Sequence, residues 1–96
     1  MENASIPQSV DIMGLTYKVA IGVVSRDADG VIDPYEQAII VSGGMTPERT
    51  RQTFVHEVVH GIFEQMGRND LYGDEQLTCF LSIALCGAFP EIARGA

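Results

Sequence analysis

The sequence has little positive charge and very few cysteines, and each shortage argues against a class of protein. Six Lys and Arg stand against 13 Asp and Glu, a net charge of −7, which argues against a nucleic-acid-binding surface. The two cysteines are too few for a disulfide scaffold. No apolar run approaches the roughly 18 residues of a membrane span, and the segment MENASIPQSVD has no features of a signal peptide. We therefore expect a cytoplasmic protein without a membrane or nucleic-acid partner.

The remaining composition is that of one small globular domain. The chain has 96 residues, of which 46% are hydrophobic and 20% charged. This content supports a modest core without cross-links and argues against disorder. We predict a single domain over residues 1–96, with a loose tail at residues 1–8.

The first half of the chain has the pattern of β-strands. Ser9–Met13 alternates, Leu15–Val24 is rich in β-branched and aromatic residues, and Gln37–Ser42 ends at two glycines. Gly14 and the SRDADG segment at 25–30 supply turn residues between them. We expect a small antiparallel meander of three or four strands.

The second half changes to helical periodicity. Thr46 is suited to cap a helix, Pro47 to occupy its first position and Gly67 to end it, which predicts a helix over Pro47–Met66. A second helix is predicted from Glu75 to about Phe89, and we expect it to be mostly buried because it is apolar nearly all round. The expected fold is α+β, with a small sheet followed by two packed helices.

Both histidines of the chain lie in the first predicted helix, in the pattern His56-Glu57-Val-Val-His60. Residues four apart share a helix face, so both imidazoles can bind one ion. Two imidazoles suit Zn²⁺ and leave room for a third ligand and a water. Glu57 is then placed to act as the general base that activates the zinc-bound water. The alternative is a helix with two incidental histidines.

The third ligand must come from outside the pair. Glu75, at the start of the second helix, is the favoured choice, because small side chains on that helix would let it approach the first. Asp74 is the main alternative, whereas Glu64 lies about 6 Å further along the first helix. Cys79 and Cys86 are expected to be small buried hydrophobic residues, not ligands.

The pattern of two histidines followed by a glutamate on the next helix is similar to the gluzincin arrangement. Phe63 and Met66 stand where the metzincin class needs Gly and His. The stretch TPERTRQTFVHEVVHGIFEQMG, followed by DEQLTCFLSIALCGAFP, resembles the small ImmA/IrrE-like metallopeptidases of bacteria, phages and mobile elements. The resemblance implies a minimal zincin-like catalytic core that cleaves a specific intracellular protein, such as a repressor. LTCFL replaces the family's continuation after the glutamate, so Asp74 and Glu75 both stay open as ligands.

The function expected from these observations is a zinc-dependent peptidase with a protein or peptide substrate. Two alternatives remain: a non-catalytic zinc-binding interaction module, and a vestigial zincin. Retention of Glu57 favours the peptidase, because a structural zinc site needs no general base.

Two further features are weighed against plainer interpretations. Ser25–Glu36 matches part of an EF-hand loop through Asp27, Asp29 and Glu36, but its first position is Ser and its flanks are strand-like. We expect a hairpin turn there and not a calcium site. Tyr72, near Glu75 in sequence, is a candidate for stabilising an oxyanion, but no residue is assigned that role.

Overall fold

The computed structural model describes residues 6–25, 27–89 and 91. A four-stranded sheet is followed by helices, which confirms the predicted α+β class. A single helical turn (Asn69–Tyr72) lies in the connection between the two predicted helices. The elements are β1 (Ser9–Ile12), β2 (Leu15–Gly22), β3 (Gly30–Asp33), β4 (Ala38–Ser42), α1 (Pro47–Gln65), α2 (Asn69–Tyr72) and α3 (Glu75–Ala88).

The sheet is mixed, with the strand order β1-β2-β4-β3. The expected antiparallel arrangement holds for both outer pairs, β1 with β2 and β3 with β4, and is corrected for the central pair, where β2 and β4 run parallel. The cause is the segment between β2 and β3, which carries the chain to the far edge of the sheet instead of forming a hairpin. The tight turn lies between β3 and β4, where the Asp33 carboxylate accepts hydrogen bonds from the backbone N–H groups of Tyr35 and Glu36.

Helix α1 packs against the sheet and forms the core with it. The approach is close at Gly61, where a Cβ would lie 2.8 Å from Ile12 Cδ1 and 2.9 Å from Ile32 Cδ1. A larger residue at this position would require the ends of the Ile12 and Ile32 side chains to shift. The buried apolar side chains are Ile6, Ile12, Tyr17, Val19, Ile32, Ile39, Val41, Phe54, Val55, Val59 and Phe63.

Helix α3 packs against α1 and α2, and its buried residues are Thr78 and Ser82. The expectation that α3 is mostly buried is therefore wrong. Phe80 and Ile83 are 61% and 47% exposed. Among the described elements, α1 and α2 cover one side of the helix, so an apolar sequence all round does not give burial all round.

Part of the predicted loose tail, residues 6–8, contacts the sheet and the core. Residues 1–5 lie outside the described residues, but Ile6 is buried in the core and the Gln8 carbonyl accepts a hydrogen bond from Val19 N–H at 2.9 Å. These contacts tie residues 6–8 to the sheet. Within the described ranges, no helix combines the length and the apolar character that a bilayer crossing requires.

Candidate metal centre

Helix α1 brings the two histidines onto one face. Its start is fixed by Thr46, whose side chain accepts a hydrogen bond from Arg49 N–H at 3.2 Å, and by Pro47 in the first turn. The His56 and His60 rings follow two and a half to three and a half turns later, with centroids 4.8 Å apart. The His56 side chain is 21% exposed and that of His60 8%. The pair therefore lies at the boundary between core and solvent, where a ligand can reach it.

Helix α3 supplies Glu75 to the same place. Glu75 Oε1 lies 3.0 Å from His56 Nε2, and Glu75 Oε2 lies 2.8 Å from His60 Nε2. The Asp74 side chain caps the helix by accepting a hydrogen bond from Leu77 N–H at 3.0 Å. Because capping occupies Asp74, the carboxylate that faces the histidines is the next one, that of Glu75.

The close approach of α3 depends on small side chains whose polar groups are already paired. The Thr78 hydroxyl donates to the Asp74 carbonyl and the Ser82 hydroxyl donates to the Thr78 carbonyl. Both side chains can therefore be buried against α1 without leaving an unpaired hydroxyl. Small residues on α3 were predicted to let it approach α1. Cys79 was predicted to be one of these buried residues, but it is exposed.

The three side chains could hold a metal ion. One ligand atom from each of His56, His60 and Glu75 lies within 4.8 Å of the other two. Donors around a tetrahedral ion with bonds near 2.1 Å are about 3.4 Å apart, so small side-chain adjustments would suffice. Two imidazole nitrogens and one carboxylate oxygen form a donor set suited to a divalent transition metal. Among the described residues, no other His, Cys, Asp or Glu cluster meets this criterion.

Glu57 lies beside this group but outside the ligand set. Its residue is only 6% exposed, and burial, followed by the nearby negative charge of Glu75, raises the pKa of its carboxyl to about 7. The edge strand β3 covers it, since a Cβ on Gly30 would lie 3.4 Å from Glu57 Cγ and 2.7 Å from Thr53 Cγ2. Glycine at position 30 lets β3 pass this close to α1.

The environment of His56 favours its neutral, metal-binding form. Burial and the neighbouring His60 lower the pKa of His56, while Glu75 opposes this shift. His60 Nδ1 is buried and has no hydrogen-bond partner in the described part of the chain. Tyr72 lies against the His60 ring, with centroids 5.2 Å apart, so it supports the ring by packing. Metal-binding histidines usually donate the second ring N–H to an acceptor, and this site departs from that pattern.

The group opens into a cleft of about 590 Å³, a size typical of ligand sites. The β2–β3 connection and the start of β3 form one wall, α1 the floor and α3 the other wall. Arg49 bridges from α1 to the first wall through an ion pair with Asp29 at 2.7 Å. The lining residues are Asp27, Ala28, Asp29, Gly30, Arg49, Gln52, Thr53, His56, Glu57, Glu75, Cys79, Ser82 and Ile83.

The outer edge of β3, with which none of the described strands pairs, borders this cleft. Strand β3 is the outermost strand of the sheet, and the Asp29 carbonyl accepts a hydrogen bond from Ser42 N–H at 2.7 Å. Because inward and outward groups alternate along an antiparallel strand, the backbone N–H and C=O of Gly30 and Ile32 point away from β4. These groups are available to an extended chain laid along β3.

The structure separates the other candidate residues from the metal group. Glu64, on α1, and Cys86, on α3, are not among the cleft-lining residues, whereas Cys79 lines the cleft without joining the ligand set. Asp29 is paired with Arg49, and the segment at 25–36 has strands and not helices around it, unlike an EF-hand. Calcium binding therefore gains no support.

Several features of the site were not predicted from the sequence. Arg49 and Asp29, which form an ion pair, are 20 residues apart in sequence, and Gly30 and Glu57 are about 27 apart. No local pattern encodes such contacts.

No protein-family model, no curated protein and no solved structure matches this chain.

Proposed function

We propose that the protein is a zinc-dependent peptidase in which Glu57 is the general base. The observation that carries the proposal is a buried glutamate next to a cluster of two histidines and one glutamate, in an open cleft. A site that only stabilised the fold would not need a carboxylate beside the ligands, and burying one without a partner is costly.

His56, His60 and Glu75 would hold the zinc. Their two nitrogens and one oxygen are the ligand set of many catalytic zinc sites, which keep a further position open. A bound Zn²⁺ would supply Lewis acidity, which polarises a peptide carbonyl and makes water more acidic. The neutral state of His56, favoured by its lowered pKa, leaves its nitrogen lone pair free to bind.

Glu57 would move the proton. Its carboxylate accepts a proton from the attacking water and passes it to the nitrogen of the leaving amine. A base whose pKa lies near neutral pH can perform both transfers, and burial gives Glu57 a pKa of about 7 before metal binds. The low exposure of the side chain also keeps bulk water from competing for that proton.

The edge of β3 would hold the substrate. The outward backbone groups of Gly30 and Ile32 can pair with an extended peptide, as in other cases of strand addition. Gly30 itself lines the cleft, so a peptide on this edge passes Glu57 and the metal group. This feature favours a peptide substrate over a compact small molecule. The resemblance to ImmA/IrrE-like peptidases suggests a specific intracellular protein, such as a repressor, as the natural substrate.

The test uses a peptide library prepared from a bacterial proteome, incubated with zinc-loaded protein and read by mass spectrometry. We expect the wild type to produce new termini with a defined sequence preference, and Glu57→Gln to bind zinc but produce none. Glu64→Gln is the matched control, because Glu64 is on the same helix but not in the cleft, and it should cleave like the wild type. Cleavage that survives Glu57→Gln or is indifferent to a chelator would contradict the mechanism.

A second candidate is a non-catalytic zinc-binding interaction module. The Glu75 side chain is 70% exposed, so the third ligand is open to an incoming partner group. This function predicts zinc binding by both wild type and Glu57→Gln, with no cleavage by either.

A further inference from the structure

The outward face of α3 carries an apolar stripe, in addition to the Leu77, Leu81 and Leu85 side chains that pack against the core. Phe80, Ile83, Ala84 and Gly87 follow the spacing i, i+3, i+4 and i+7 and lie on one side of the helix. Phe80 is 61% and Ile83 47% exposed, and Ala84 and Gly87 are also exposed. We call these four residues the α3 stripe. Such a stripe normally faces a partner, and here it faces away from the domain.

The α3 stripe lies in a segment without charge. No Asp, Glu, Lys or Arg occurs from Gln76 to Phe89, although the chain as a whole carries a net charge of −7. Two copies of an acidic protein repel one another at most surfaces. They can meet along this segment without placing like charges opposite each other.

The order of side-chain sizes makes the α3 stripe complementary to itself. If two α3 helices pack antiparallel about a two-fold axis between Ile83 and Ala84, Phe80 faces Gly87 of the second copy. Ile83 then faces Ala84 of the second copy. Each large side chain meets a small one, which permits close packing of an isologous interface.

We propose that the α3 stripe is the interface of a symmetric homodimer. Phe80 contributes most of the contact, because 61% of its surface is exposed and a phenylalanine can bury roughly 150–250 Å² in all. Two helices meeting along the stripe bury less than about 1,000 Å² in total, the range of weak association, so the Kd is weaker than micromolar. Ile83 also lines the metal cleft, so the second copy borders each cleft.

Sedimentation equilibrium on the full chain, from about 10 to 500 µM, tests the interface. The average mass of the wild type should rise from 10.4 kDa towards twice that value. Ala84→Glu places a charge next to the two-fold axis and should stay at the monomer mass throughout. Val23→Asp is the matched control, because Val23 is 97% exposed but far along the chain from α3, and it should associate like the wild type. Circular dichroism checks that each variant is folded.

Cross-linking tests the proposed orientation. In a Cys79→Ser and Cys86→Ser background, Ala84→Cys places two thiols on either side of the two-fold axis. Mild oxidation should link these chains much faster than chains that carry Val23→Cys. A wild type that remains monomeric, association that survives Ala84→Glu, or equal cross-linking rates would each overturn the proposal. None of these measurements depends on zinc or on cleavage.

Discussion

The charge on Glu57 should destabilise the folded, metal-free protein, and replacing Glu57 with glutamine should reveal by how much. The pKa of the carboxyl rises from 4.5 to about 7 on folding, chiefly because the group is buried. A raised carboxyl pKa means that the folded state binds the proton more tightly than the unfolded state. The stability that the folded protein gains from protonated Glu57 is therefore fully present below about pH 4.5 and is lost as the pH rises through about 7.

The size of the effect follows from the pKa difference of about 2.5. One pKa unit corresponds to about 1.4 kcal/mol, so ionised Glu57 costs roughly 3 kcal/mol of folding free energy. Glutamine keeps the shape of the side chain without the charge. At pH 8 in chelator, Glu57→Gln should be more stable than the wild type by roughly 2–3 kcal/mol, while near pH 4 the two should be similar.

Urea unfolding at a series of pH values, followed by circular dichroism, measures this difference. Glu48→Gln is the control, because Glu48 is an exposed carboxylate in the first turn of the same helix and its loss should change stability by less than about 1 kcal/mol. If Glu57→Gln were less stable than the wild type at pH 8, the ionised Glu57 carboxylate would not destabilise the fold. The same would follow if the difference in unfolding free energy between the two proteins did not grow between pH 4 and pH 8.

Other substitutions separate ligands from residues that support them. Glu75→Ala should reduce zinc affinity by at least tenfold in a competition titration with a chelating dye, because it removes the third ligand. Asp74→Ala should retain zinc but lose about 1 kcal/mol of stability in urea unfolding, because it removes the cap on Leu77 N–H. If Asp74→Ala lost zinc and Glu75→Ala did not, the third ligand would be Asp74 and not Glu75. Gly30→Ala should lower stability by about 1–3 kcal/mol, because its Cβ would lie 2.7 Å from Thr53 Cγ2, and an unchanged unfolding midpoint would show that β3 is further from α1.

Local patterns predicted the parts of the fold that local chemistry determines. Thr46, Pro47 and Gly67 bounded a helix that the structure places at Pro47–Gln65. The spacing of the histidines and the start of α3 at Glu75 were enough to anticipate the cluster, because capping and helical periodicity act over a few residues.

The misjudged features depend on distant contacts. The parallel pairing of β2 with β4 joins segments about 20 residues apart, and no turn motif specifies it. The burial of Glu57 was not predicted, because helical periodicity does not include the edge strand that covers Glu57 at Gly30. The exposure of α3 escaped prediction for a related reason: an apolar sequence gives the same pattern whether its partner lies within the chain or outside it.

The proposed function requires that His56, His60 and Glu75 hold one zinc ion. Elemental analysis of protein loaded with zinc and then freed of loose metal by gel filtration measures this binding. We predict about one zinc per chain for the wild type and for Glu57→Gln, and close to none for His60→Ala. A wild type that retains no more zinc than His60→Ala would contradict the account.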